Sequence, residues 1–86
     1  ADTRGSIEFV LMEIPPQTFT ADKEHTHTGE ETSYVEYGDV DIWLNGEKFR
    51  LHAGDAIRIP AGTHHRWFNP GDEMVRVIFA VTPPSF

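Results

Sequence analysis

The stretch DIWLNGEKFRL, residues 41–51, decides the fold class. Ile42, Trp43 and Leu44 run up to Asn45-Gly46, and Lys48, Phe49, Arg50 and Leu51 run away from it. A two-residue type I′ turn needs positive φ at both central positions, and Asn-Gly is the pair that tolerates this best. The spacing therefore predicts a tight β-hairpin, with strands of β-branched and aromatic character on either side.

Working outward, turn signals recur too often for a helix of ordinary length: Pro15-Pro16, Thr28-Gly29, Gly38-Asp39, Ala53-Gly54, Pro60 to Gly62, Asn69 to Gly71 and Pro83-Pro84. The segments between them are short and alternate with period two. They are expected as strands over roughly 6–14, 17–27, 31–37, 39–45, 47–52, 55–59, 64–69 and 73–81. About eight strands at this spacing imply an all-β barrel or sandwich. Nothing resembling a linker, repeat or low-complexity run divides residues 1–86, so one domain is expected.

Composition narrows the functions. The 86 residues hold 14 Asp and Glu against 7 Lys and Arg, for a formal net charge of -7. Phosphate binding needs a concentrated basic surface, so any DNA contact is expected from another domain. The acidity is lopsided: residues 1–41 carry ten carboxylates and two basic groups, residues 42–86 four and five. No cysteine is present, so neither a disulfide framework nor a thiolate metal site is available. No apolar run approaches membrane-spanning length and no leader pattern opens the chain, which leads to the expectation of a soluble, cytoplasmic protein with no membrane partner. A start at Ala1 rather than Met suggests a trimmed or processed chain, or a fragment of something longer.

Four of the five histidines fall in two clusters, His25-Thr26-His27 and His64-His65. On a strand, residues two apart share a face, so His25 and His27 project together at a spacing that suits one metal ion. A reversal through Thr28, Gly29 and Glu30 would bring Glu31 beside them, and a barrel can fold the later strand that His65 opens onto the same interior. Imidazole and carboxylate donors suit iron, manganese, nickel, copper or zinc, whereas calcium and magnesium prefer oxygen shells.

These residues carry a resemblance to the cupins, small β-barrels marked by two motifs. The first, G-x5-H-x-H-x3-4-E-x6-G, is met by His25, His27, Glu31 and Gly38, with Phe19 where the leading glycine stands. The second, G-x5-P-x-G-x2-H-x3-N, is met in full by Gly54, Pro60, Gly62, His65 and Asn69. The resemblance implies a single-domain cupin (double-stranded β-helix or jelly-roll barrel) with His25, His27, Glu31 and His65 as ligands of a divalent transition-metal ion. His64 has the wrong parity and becomes a neighbour, and Glu30 is expected in solvent. Gly38, Gly54, Gly62, Pro60 and Asn69 are expected to set turns rather than touch a ligand.

Parity extends the site. His65, Trp67 and Asn69 share one face, so Trp67 is a pocket-lining candidate, with core filling as its plainer role. The Glu31 face selects Ser33, Val35 and Tyr37, of which Ser33 is small enough to line a pocket. Arg58 and Arg76 alternate with apolar neighbours and are expected on the solvent face or in a dimer contact. No nucleophile-base-acid signature and no phosphate-cradling loop is present, which leaves metal chemistry.

The chain also resembles the C-terminal cupin domain of XRE-type helix-turn-helix regulators, in Asn69-Pro70-Gly71-Asp72-Glu73 and in the Thr-Pro-Pro-Ser-Phe ending. That resemblance implies a module that senses a small-molecule ligand and forms a homodimer, with DNA read by a separate N-terminal domain. Three His and one Glu equally support a stand-alone metal-dependent enzyme of dioxygenase, isomerase or decarboxylase type.

Overall fold

The Asn45-Gly46 hairpin forms as its sequence requires. Asn45 has φ 51° and Gly46 φ 85°, and the strands they join, β3 (Val40–Leu44) and β4 (Glu47–Leu51), pair from Leu44 opposite Glu47 to Val40 opposite Leu51. The structure is a computed structural model that describes residues 7–20 and 29–82. Its other strands are β1 (Glu8–Ile14), β2 (Glu30–Tyr37), β5 (Ala56–Ile59), β6 (His65–Phe68) and β7 (Val75–Thr82), and no helix occurs among the described residues.

The strands form two antiparallel sheets in the order β1-β7-β2-β5 and β4-β3-β6. Their inner faces meet in a jelly-roll core of Ile14, Val35, Val40, Ile42, Ile59, Trp67, Val75 and Val77. This core is mostly β-branched, the side-chain shape that fits a pleated surface best. Alternation turns Val35 of β2, Trp67 of β6 and Val75 and Val77 of β7 inward and their chain neighbours outward.

Two departures from the expected elements have physical causes. The segment expected over 17–27 begins with a corner, because Gln17 takes φ 55° just after the Pro15-Pro16 pair. Beyond it, Phe19 bridges Phe68, and Gln17, Thr18 and Thr20 exchange backbone hydrogen bonds with Trp67 and Asn69, so this piece runs along the free edge of β6. Residues 21–27 of that expected strand lie outside the described residues. In β2 a bulge falls between Val35 and Tyr37, so Tyr37 turns outward instead of continuing the Glu31 face. Outside, it lies under Arg76, whose guanidinium sits 5.0 Å from the ring centroid.

Phe19 occupies the place of the motif's glycine on the outer face of the three-stranded sheet. Its ring lies 4.4 Å from Phe68 and 5.8 Å from Trp43, with the Arg66 guanidinium 3.6 Å above it. On the same face Asp41 is buried beneath Lys48 and Arg50. Arg50 grips it through Nε and Nη2, and Lys48 approaches to 3.5 Å. The hydrogen bond to Asp41, and then its charge, hold the Arg50 guanidinium above the usual arginine range.

Candidate metal centre

Glu31 and His65 enter the barrel from opposite sheets. Glu31 starts the inward row of β2, flanked in register by Ile59 of β5 and Val81 of β7, both fully buried. His65 opens β6 opposite Leu44 of β3. Each is almost wholly withdrawn from solvent, at 3% and 4% exposure. A carboxylate placed among aliphatic side chains carries a desolvation cost that a neutral residue would not, so its burial calls for partners.

Part of that partnership is visible. Ser33, two residues along β2 on the same face and fully buried, donates its hydroxyl to Glu31 Oε2 at 2.6 Å. His65 Nδ1 lies 3.4 Å from the Thr63 carbonyl oxygen, which can only accept. That contact favours the tautomer with the proton on Nδ1.

The other two expected donors, His25 and His27, lie outside the described residues. Among the described residues no group of three or more His, Cys, Asp or Glu is close enough to hold a metal ion. What is described fits the donor chemistry: a buried imidazole and a buried carboxylate, nitrogen and oxygen, in an otherwise apolar barrel.

Trp67 shares the face of His65 and packs into the central core cluster. His64 faces solvent, and its backbone N–H donates to Asn45 Oδ1 at 3.0 Å. Glu30 is exposed and pairs with Arg58 at 2.9 Å. Arg76 lies between Glu13 and Glu36, at 3.0 and 2.9 Å, and hydrogen bonds to both raise its pKa. Both arginines therefore lie on the outer face of the four-stranded sheet.

Asn69, expected to set a turn, does so with its whole side chain. Nδ2 donates to the carbonyls of Ile14 and Glu73, at 2.8 and 2.6 Å, while Oδ1 accepts from the Gly71 N–H at 2.9 Å. It thereby ties the end of β1 to the loop before β7. An open cleft of about 390 Å³ lies beside it, lined by Gly38, Asp39, Arg50 and Asp72 among others. This cleft is at the opposite end of β2 and β6 from Glu31 and His65.

Residues 10–81 match the family model for the cupin domain. The chain belongs to the cupin family. A solved Cupin 2 conserved barrel domain protein from Salinispora arenicola superposes on this cupin with a TM-score of 0.83 at 24% identity, covering 93% of this chain and 66% of that one. The chain is 34% identical to the HTH-type transcriptional regulator PuuR of Escherichia coli over 81 residues, 94% of this chain and 43% of that protein. It is 44% identical to the acireductone dioxygenase of Aquifex aeolicus over 54 residues, 58% of this chain and 29% of that enzyme. This cupin thus spans less than half the length of the curated relatives it matches.

Proposed function

We propose that residues 1–86 form one cupin domain that serves as the small-molecule sensing and dimerisation module of a transcriptional regulator. The observation that carries this reading is the likeness to PuuR, which runs through 94% of the chain. DNA contact belongs in this reading to a separate N-terminal domain, which agrees with the net charge of -7 on the cupin itself. Cytoplasmic location follows from that role. Among the described residues no helix is long and apolar enough to cross a membrane.

The proposed ligands of one divalent transition-metal ion are His25, His27, Glu31 and His65. A bound ion would supply a Lewis-acidic anchor for an oxygen of the sensed molecule. Ser33 and Trp67 would line the adjoining space. Differential affinity of the sensed molecule for two arrangements of the dimer would then shift DNA binding.

The dimer partner is a second copy, seated on the outer face of the four-stranded sheet. There Phe9 and Leu11 of β1 stand beside Ala80 and Ile78 of β7, with Tyr34 of β2 next to Ile78 and Ile7 just ahead of β1. Ile7, Phe9, Leu11 and Tyr34 are 61%, 75%, 54% and 45% exposed. At roughly 100 Å² each they present about 400 Å² of mostly apolar surface before Ile78 and Ala80 are added. A standard interface buries about 800 Å² per partner, of which about 500 Å² is apolar. The rim is close to neutral, since its carboxylates Glu13, Glu36 and Glu30 are paired with Arg76 and Arg58. Two copies of an acidic chain can therefore approach through it.

A stand-alone metal-dependent enzyme is the second reading, favoured by the likeness to acireductone dioxygenase. The two share the metal site and differ in what the gene encodes ahead of Ala1. A helix-turn-helix there supports the regulator, and a start codon supports the enzyme. The site is tested by plasma mass spectrometry on chain purified without a metal-affinity tag. About one transition-metal ion per chain, lost in Glu31→Ala, is the expected result; a metal-free wild type after reconstitution would remove the metal from both readings.

A further inference from the structure

We infer that Asn45 is a positioning residue for His65, acting through the peptide group that joins Thr63 to His64. Only its effect on metal binding rests on the metal site proposed above. Asn45 is exposed on the turn between β3 and β4, and it holds His64 by both backbone groups. Its N–H donates to the His64 carbonyl at 2.7 Å, and its Oδ1 accepts the His64 N–H at 3.0 Å. An N–H can only donate, so the side-chain amide must present its oxygen there.

The His64 N–H and the Thr63 carbonyl belong to one trans peptide plane and point in opposite directions. Fixing the N–H on Asn45 therefore aims the carbonyl away from the turn, to the side on which His65 Nδ1 lies at 3.4 Å. Imidazole, peptide and side-chain amide form a chain in which each hydrogen bond polarises the next. His65 makes other contacts as well, so the chain biases the ring toward its Nδ1–H tautomer without being its sole restraint. An exposed turn residue thus reaches a buried imidazole that it does not touch.

Asn45 also holds φ 51° for the hairpin, and substitution can separate the two duties. Glycine keeps the positive φ and lacks Oδ1, whereas aspartate keeps an acceptor oxygen and tolerates the left-handed region.

The test is ¹⁵N NMR of the metal-free chain in wild type, Asn45→Gly and Asn45→Asp, well above the reference imidazole pKa of about 6.5 so that the rings are neutral. Protonated and unprotonated ring nitrogens resonate far apart, and the His65 signals are those missing from His65→Ala. Circular dichroism establishes that each variant is folded, and Co²⁺ titration against a chelator gives the metal affinity. Wild-type His65 is expected mainly as Nδ1–H. In Asn45→Gly the ratio of Nδ1–H to Nε2–H should fall about 2–10-fold, the worth of one ordinary hydrogen bond. Co²⁺ should bind about 10-fold more weakly, the low end of the effect of removing an outer partner of a ligand. Asn45→Asp should return both readouts toward wild type. A wild-type ring protonated mainly on Nε2 would overturn the inference. So would Asn45→Gly with an unchanged tautomer ratio, since a role in hairpin stability alone leaves the ring as it is. The expected tautomer shift in a chain that takes up no Co²⁺ would remove the metal site and leave the role of Asn45 standing.

Discussion

Gly38 and Gly54 offer a matched pair for separating backbone conformation from packing. Both hold positive φ, 91° and 95°. A Cβ on Gly54 would meet nothing within 4 Å, whereas on Gly38 it would lie 2.6 Å from Val75 Cγ2, 3.2 Å from Val75 Cα and 3.4 Å from the Met74 carbonyl oxygen. The left-handed conformation costs an alanine about 1–2 kcal/mol, offset in part by a less flexible unfolded chain. Gly54→Ala should therefore lose about 1 kcal/mol. Gly38→Ala bears the same cost plus about 1–3 kcal/mol of overpacking, because Val75 is buried and two of the three close atoms belong to backbone that cannot swing aside. Its expected loss is about 2–4 kcal/mol. Urea unfolding at a slope of about 1 kcal/mol per M would place its midpoint roughly 1–3 M below that of Gly54→Ala. Equal midpoints would refute the steric part, showing that Val75 rotates away at little cost.

Further outcomes follow from features already described. Asn69→Asp keeps the shape but loses the two donors to Ile14 and Glu73, so it should destabilise by about 2–4 kcal/mol in denaturant unfolding; a neutral effect would mean that water or a backbone shift replaces both bonds. Sedimentation velocity should find wild type at dimer mass and Phe9→Glu with Leu11→Glu at monomer mass, since two buried carboxylates per copy would oppose association. A monomeric wild type at high concentration would dismiss that face. His65→Ala should lose tight metal binding yet keep a β-type circular dichroism spectrum, and retention of stoichiometric metal would sink its assignment as a ligand.

Local chemistry made much of the fold legible. The Asn45-Gly46 turn fixed its own register, and alternation from Glu31 through Ser33 to Val35 put each side chain where parity demands. Parity failed at Tyr37 because a bulge is set by how β2 meets β7, and the sequence of one strand does not reveal its partner. Buried Asp41 went unread among the many carboxylates of the first half. Its signal was present nonetheless, since a two-residue turn at Asn45-Gly46 places Arg50 directly opposite it. The buried positions of Glu31 and His65 followed from strand phase and motif spacing. The hydrogen bond from the Ser33 hydroxyl to Glu31 is not legible in the sequence, because parity gives a side chain's face and not its rotamer.

The pairing of β1 with β7 bears on the order in which the chain can be completed. Every residue from Glu8 to Ile14 finds its ladder partner between Val75 and Val81. On a ribosome, β1 must wait for β7 before these hydrogen bonds close, with Phe9 and Leu11 exposed in the meantime. Such distant pairing slows folding and lengthens the interval in which an unpaired apolar edge can meet another chain. Because the face proposed for the dimer includes Ile78 and Ala80 of β7, that face is complete only once β7 has joined β1 and β2, and assembly must follow closure of the sheet.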